Sequence, residues 1–318
     1  MKILFFTDPH NSAVNLSCRK DFFPDTILEK EHEVLKIAQA RKVDWLVCGG
    51  DFSHNKMMSE WYKNRIITLF NEFPVKKACV IGNHDESFED PATVLKSPLG
   101  VFLNSKVMYP QPGELVIREE GINLFMLPFM GKVKEFPIAT NPAEMNILFS
   151  HYFLNSSWDE DETLPPALVG KFQYIFLGHD HDQYPITKVR NPETGLESVV
   201  IRPGALSRGT RHRSVWLREV SVAYLDTLTG ECEYIPVPCK PAKEIFNVEG
   251  LAVRDSIKAS PVIQALAEKV DFGRSTDVYA ILDSMGLYKA LYDKTVEWLA
   301  EGGIVRAPEL QKEVGVNG

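Results

Sequence analysis

Five short apolar runs in this 318-residue sequence each end in side chains that hold divalent cations. Leu4–Thr7 leads into Asp8-Pro9-His10, Trp45–Cys48 into Gly49-Gly50-Asp51, and Ala78–Ile81 into Gly82-Asn83-His84-Asp85. Ile147–Ser150 leads into His151, and Tyr174–Leu177 into Gly178-His179-Asp180-His181. Five of the eight histidines fall at these ends, a concentration that scattered structural histidines rarely produce. Imidazole, carboxylate and amide oxygen together suit Mn²⁺, Fe²⁺ or Zn²⁺, and no thiol stands among them to suggest a cysteine-rich structural zinc site. Glycines before Asp51, Asn83 and His179 let the chain turn sharply and leave room beside an ion. Two ions about 3.5–4 Å apart clamp both oxygens of a phosphate ester and acidify a bridging water, so the chemistry served is phosphoester hydrolysis.

The elements that must position these residues follow from the apolar pattern. Lys2–Thr7 shows no alternation, as a strand covered on both faces would. Residues 25–42 carry Ile27, Leu28, Val34, Leu35 and Ala38 at helical spacing, and Val43–Cys48 reads as the next strand. A second unit repeats the order, with Trp61, Tyr62, Ile66, Leu69, Phe70 and Phe73 on a helical stripe before the strand that ends at Ile81. Consecutive βα units predict a parallel sheet whose ligands gather at the carboxyl ends of its strands. Beyond residue 100 the runs at 114–117, 123–127, 145–149, 172–177, 198–201 and 214–225 are of β type. The expected architecture is a four-layer α/β sandwich of two mixed sheets flanked by helices, over residues 1–245. Residues 246–318 are expected to form a small, helix-rich C-terminal extension, with helices over 261–270 and 284–300.

Taken together, Asp8-x-His10, Gly50-Asp51, Gly82-Asn83-His84-Asp85, His151 and Gly178-His179-Asp180-His181 resemble, in order and spacing, the five motifs of the calcineurin-like metallophosphoesterases. The resemblance implies one metal held by Asp8, His10, Asp51 and His181, and a second held by Asp51, Asn83, His151 and His179, with Asp51 bridging. It further implies that His84 stabilises charge on the phosphoryl group or protonates the leaving oxygen, with Asp85 as the partner that orients it. The segment from Gly49 to Lys56 looks like the GGDLFH segment of the SbcD-like DNA-repair nucleases, and Arg202-Pro203-Gly204-Ala205-Leu206-Ser207-Arg208 resembles their PGS element. On that branch the ions are Mn²⁺ before Fe²⁺ or Zn²⁺. The expected partners are DNA, an SbcC-like ATPase and a second copy of the chain.

Composition bounds the partners. Hydrophobic residues at 44% and charged residues at 25% are those of a globular protein. A net charge of -8 excludes a protein that coats nucleic acid by bulk positive charge, so phosphate must be met locally. Arg202, Arg208, Arg211 and Arg213 are the candidates for backbone phosphates, and His54 is a candidate substrate contact. The rival for these arginines is a solvated or ion-paired loop, and for His54 a surface histidine or one that is hydrogen-bonded behind the ligands. Asp159–Glu162 reads as a solvated acidic loop. Five cysteines without CxxC spacing, and neither a signal segment nor a membrane span, point to a reduced, cytoplasmic setting. A small-molecule or cyclic-nucleotide phosphodiesterase is the rival enzyme. A metal-bound interaction module without turnover is the rival from another class.

Overall fold

A computed structural model describes residues 1–16, 19–109, 116–131, 140–154, 162–209 and 218–246. These residues belong to one compact unit, Met1–Phe246. The helices expected over 261–270 and 284–300 lie outside the described residues.

Strand β1 (Lys2–Phe6) stands at the centre of the first sheet, between β2 (Trp45–Cys48), parallel to it, and β10 (Ser221–Asp226), antiparallel to it. The order is completed by β3 (Lys76–Cys79), parallel beyond β2, and β11 (Glu231–Pro236), antiparallel beyond β10. The second sheet is formed by β4 (Val116–Glu119), β5 (Ile122–Leu127), β6 (Met145–Ser150), β7 (Tyr174–Leu177), β8 (Tyr184–Arg190) and β9 (Glu197–Arg202), in the order β4-β5-β6-β7-β9-β8. Its four central strands run parallel, and each edge is antiparallel. Both sheets are therefore mixed, as expected.

The period-two geometry of β1 explains its unbroken apolar run. Ile3 and Phe5 face the second sheet and meet Phe149 and Phe176, while Leu4 and Phe6 face the helices. Those helices are α1 (Phe23–Arg41), α2 (Glu60–Asn71) and α3 (Pro98–Asn104). Pro24 opens α1 where a missing N–H costs nothing, and Lys42 closes it in the left-handed conformation with its N–H on Ala38 O. Ser59 caps α2 by accepting from the Tyr62 N–H. Trp61 departs from the expected stripe: it is 59% exposed, and its ring carries the Arg65 guanidinium 4.8 Å above it. On the outer face of the second sheet, Phe125, Leu148 and Ile175 pack with Tyr152, Leu164, Leu168 and Phe172.

Two strands escaped the sequence pattern, β8 and β11, and both are edges. Pro185 gives β8 a broken register between Tyr184 and Thr187, and most side chains of both strands reach solvent, so neither shows a full apolar run. No helix among the described residues is long and apolar enough to cross a membrane.

Candidate metal centre

The carboxyl ends of β1, β2 and β3 face those of β6 and β7, and the turns that follow them bring seven candidate ligands together. One cluster holds Asp8, His10 and His181; another holds Asp51, His151 and His179. Asp51 joins the two, with Oδ2 3.6 Å from His10 Nε2 and Oδ1 3.3 Å from His151 Nε2. Asn83 Oδ1 lies 3.1 Å from that same His151 nitrogen. The turns are tight enough that Asp8, His10, Asp51 and His179 all adopt positive φ, which ordinary side chains avoid. Such strain gathers where surrounding structure enforces it. A Cβ on Gly82 would meet Asp51 N at 2.2 Å and Oδ1 at 2.3 Å, so only glycine allows the third strand's turn to pass the bridging carboxylate.

The set is short of a positive charge. His151 Nδ1 donates to Gly49 O at 2.8 Å, which leaves its Nε2 facing Asp51 Oδ1, Asn83 Oδ1 and, 3.2 Å away, His179 Nδ1. In the neutral tautomer these are four lone pairs on one point. In the other cluster His10 Nε2 stands 3.1 Å from His181 Nε2, and Asp8 Oδ1 is buried without a hydrogen-bond donor. Asp8 Oδ2, by contrast, is anchored by Thr7 Oγ1 at 2.6 Å and by the His179 N–H at 3.1 Å. One oxygen is fixed and the other is left for a cation, so the donors fit divalent ions in both clusters.

Charge follows the same logic. Burial pushes the His10 imidazole down to about 3 against the pull of Asp51 and Asp8, keeping its lone pair available. Burial also opposes protonation of His151, but Asp51 and then Asp8 overcome it and draw His151 up to about 10. Burial would raise Asp51 as well, yet His151 and His10 hold it far below the carboxylate range. A proton and a metal ion are alternatives at His151 Nε2, so metal binding at this cluster is coupled to pH.

A model of the calcineurin-like phosphoesterase family matches residues 1–183, more than half of the chain. The chain belongs to the calcineurin-like phosphoesterases. The matched span contains every residue of both clusters together with Asn83 and His84, and it makes the chain a metal-dependent phosphoesterase. Among solved structures the phosphoesterase is similar to TT1561 of Thermus thermophilus, at 14% identity and a TM-score of 0.46, over 74% of this chain and 99% of that one. It is also similar to Yfce, a phosphoesterase from E. coli, at 15% identity and a TM-score of 0.34, over 75% and 100% of the two chains. No curated protein matches it.

Around the clusters, several expected roles change. Asp85 does not orient His84. Its carboxylate accepts from the N–H groups of Ser53 at 2.9 Å and of Phe52 and Gly82 at 3.1 Å, and so ties the second ligand turn of this phosphoesterase to the third. Burial, and then the charge of Asp51, raise Asp85 to about 7. His84 Nδ1 instead donates to the His54 carbonyl at 2.8 Å, its backbone N–H binds Asp51 Oδ1 at 2.9 Å, and its ring stacks on that of His54. One ring nitrogen from each of His10, His54 and His84 converges within 4.8 Å, which places His54 beside the centre.

Arg208 is no groove residue. It is 5% exposed, and its guanidinium donates to Lys240 O and Cys239 Sγ. Arg202 lies over the Tyr184 ring, 3.8 Å from its centre. Arg211 and Arg213 lie outside the described residues. Sequence reasoning missed two groups at the centre's rim: Lys56, whose Nζ donates to Asn83 O, and Glu162, on His179.

Behind the centre, α1 buries Lys30 and Glu31 side by side. Lys30 Nζ donates to Leu206 O at 2.7 Å, and Glu31 accepts from Asn11 Nδ2 at 2.6 Å, beside His10. Burial raises the Glu31 carboxyl from 4.5 to about 8, against the Asn11 hydrogen bond. Across that window the folded chain keeps a proton that the unfolded chain releases, so the carboxyl costs stability progressively as pH rises. Glu31→Gln should melt above the unmodified chain by a margin that widens from about pH 5 to about pH 8. A margin that narrows with rising pH in thermal unfolding contradicts this assignment.

Proposed function

We propose that this phosphoesterase is a phosphodiesterase that cleaves DNA in the SbcD manner, with two Mn²⁺ ions as its working metals. The observation that carries the reading is the His54–His84 pair: the segment that resembles the SbcD-like nucleases delivers a second imidazole, stacked on the first, beside the clusters. When bound, the ions supply Lewis acidity at the phosphoryl oxygens and lower the pKa of a water. The chain's residues do the rest. The Nδ1–H of His84 is committed to the His54 carbonyl, so the acid form is the imidazolium, which gives its Nε2 proton to the departing sugar oxygen and is left as the neutral ring with its remaining proton on Nδ1. His54 backs the His84 ring and offers a donor to a non-bridging oxygen. Lys56, exposed and anchored on Asn83 O, gives the one cation among the described residues that is tied to a ligand turn and open to a neighbouring phosphate. An SbcC-like ATPase, a second copy of the chain and a cytoplasmic setting belong to this reading.

A second reading, a phosphodiesterase for cyclic nucleotides or other small diesters, is favoured by the burial of Arg208 and by the carboxylate of Glu162 at the rim, which repels a polyanion. The Mn²⁺-loaded chain should be assayed in parallel on single- and double-stranded DNA, cyclic nucleotides and p-nitrophenyl thymidine phosphate. DNA cleavage abolished by chelation supports the nuclease. Turnover of small diesters with intact DNA overturns it for the second reading.

A further inference from the structure

Of the acidic stretch at 159–162, expected as a solvated loop, residues 159–161 lie outside the described residues, and Glu162 is tied down. It accepts a hydrogen bond from His179 Nε2 through Oε2 at 2.9 Å. The backbone holds it there: Phe153 N–H donates to Glu162 O at 2.9 Å, Leu164 N–H donates to Phe153 O at 2.8 Å, and the Leu164 side chain is buried. Phe153 then lays its ring against the His179 imidazole, with 4.4 Å between ring centres. The hydrogen bond fixes the proton of His179 on Nε2, so the lone pair stands on Nδ1, the nitrogen 3.2 Å from His151 Nε2.

We propose that Glu162 is a positioning residue for the second ion: it selects the tautomer of His179, holds the ring plane and makes Nδ1 a stronger donor, acting on the Asp51–Asn83–His151–His179 ion and not on the Asp8–His10–His181 ion. The inference rests on the two-ion reading of the centre. A carboxylate behind a ligating imidazole is worth about 10–100-fold in metal affinity. Among the described residues the carboxylate that meets the His181 ring is Asp8, itself a ligand on the metal side and not a support from behind, so the two ions should respond differently.

The test uses the full chain, stripped by chelator and titrated with Mn²⁺, with free ion read by electron paramagnetic resonance. The unmodified chain should take two ions. Glu162→Ala should weaken one of them by about 10–100-fold and leave the other in place. Glu162→Gln, which keeps an acceptor oxygen without the charge, should fall between the two. Thermal unfolding of the metal-free variants should match the unmodified chain, which separates loss of positioning from loss of fold. Two undisturbed ions in Glu162→Ala, or equal weakening of both, overturns the inference alone. Fewer than two ions in the unmodified chain refutes the two-ion reading beneath it.

Discussion

Asp51→Asn should leave the phosphoesterase with no measurable turnover of bis-p-nitrophenyl phosphate and at most one tightly held ion. Asp51 is 2% exposed and, among the described residues, is the carboxylate whose two oxygens face different clusters, Oδ2 toward His10 and Oδ1 toward His151. An amide keeps the shape but presents only one acceptor and no charge, so it serves one cluster at best. Lewis-acid stabilisation by a metal pair is worth several kcal/mol, and about 4 kcal/mol corresponds to roughly 10³-fold in rate. Metal analysis of the purified variant beside its turnover checks both halves of the statement. Retention of two ions with wild-type affinity removes Asp51 from the bridging position.

His84→Ala should behave in the opposite sense, keeping both ions while losing about 10²–10⁴-fold in turnover of a diester with an alkoxide leaving group. His84 sits against His10 and Asp51, but its ring shares its cluster with histidines alone. It belongs to neither of the clusters that contain Asp8 or Asp51, and one ring nitrogen is already committed to the His54 carbonyl. An acid matters in proportion to the basicity of the oxygen it protonates. A p-nitrophenyl ester, whose phenolate leaves without a proton, should therefore lose much less than a dinucleotide. Equal losses on both substrates point to phosphoryl binding in place of proton transfer, and loss of metal makes His84 a ligand.

The centre could be read from the sequence to the extent that parallel strands impose a common polarity. β1, β2 and β3 all point one way, as do β6 and β7, so residues that merely follow apolar runs in the sequence meet at one end of the sandwich. What could not be read depends on side-chain direction. Asp85 adjoins His84 in sequence, but its carboxylate turns toward three backbone N–H groups that converge from two loops. Arg208 belongs to a run of arginines that looks like a phosphate-binding segment, and only the packing of 239–240 on its guanidinium makes it an interior group. Glu162 stands 17 residues from His179, among acids of no evident purpose, and a loop closure that no local pattern encodes joins them. The edge strands failed for a different reason: with solvent on one side, β8 and β11 lack the continuous apolar signal that marks β1.

The most direct measurement is turnover followed through the metal titration itself, with chelated chain, Mn²⁺ added in steps and bis-p-nitrophenyl phosphate hydrolysis read at each. Two clusters that share Asp51 predict an inactive apo chain, little turnover while the first ion fills, and activity that rises with the second ion and levels off at two per chain. Full activity at one ion per chain, or turnover that survives complete chelation, would contradict the account.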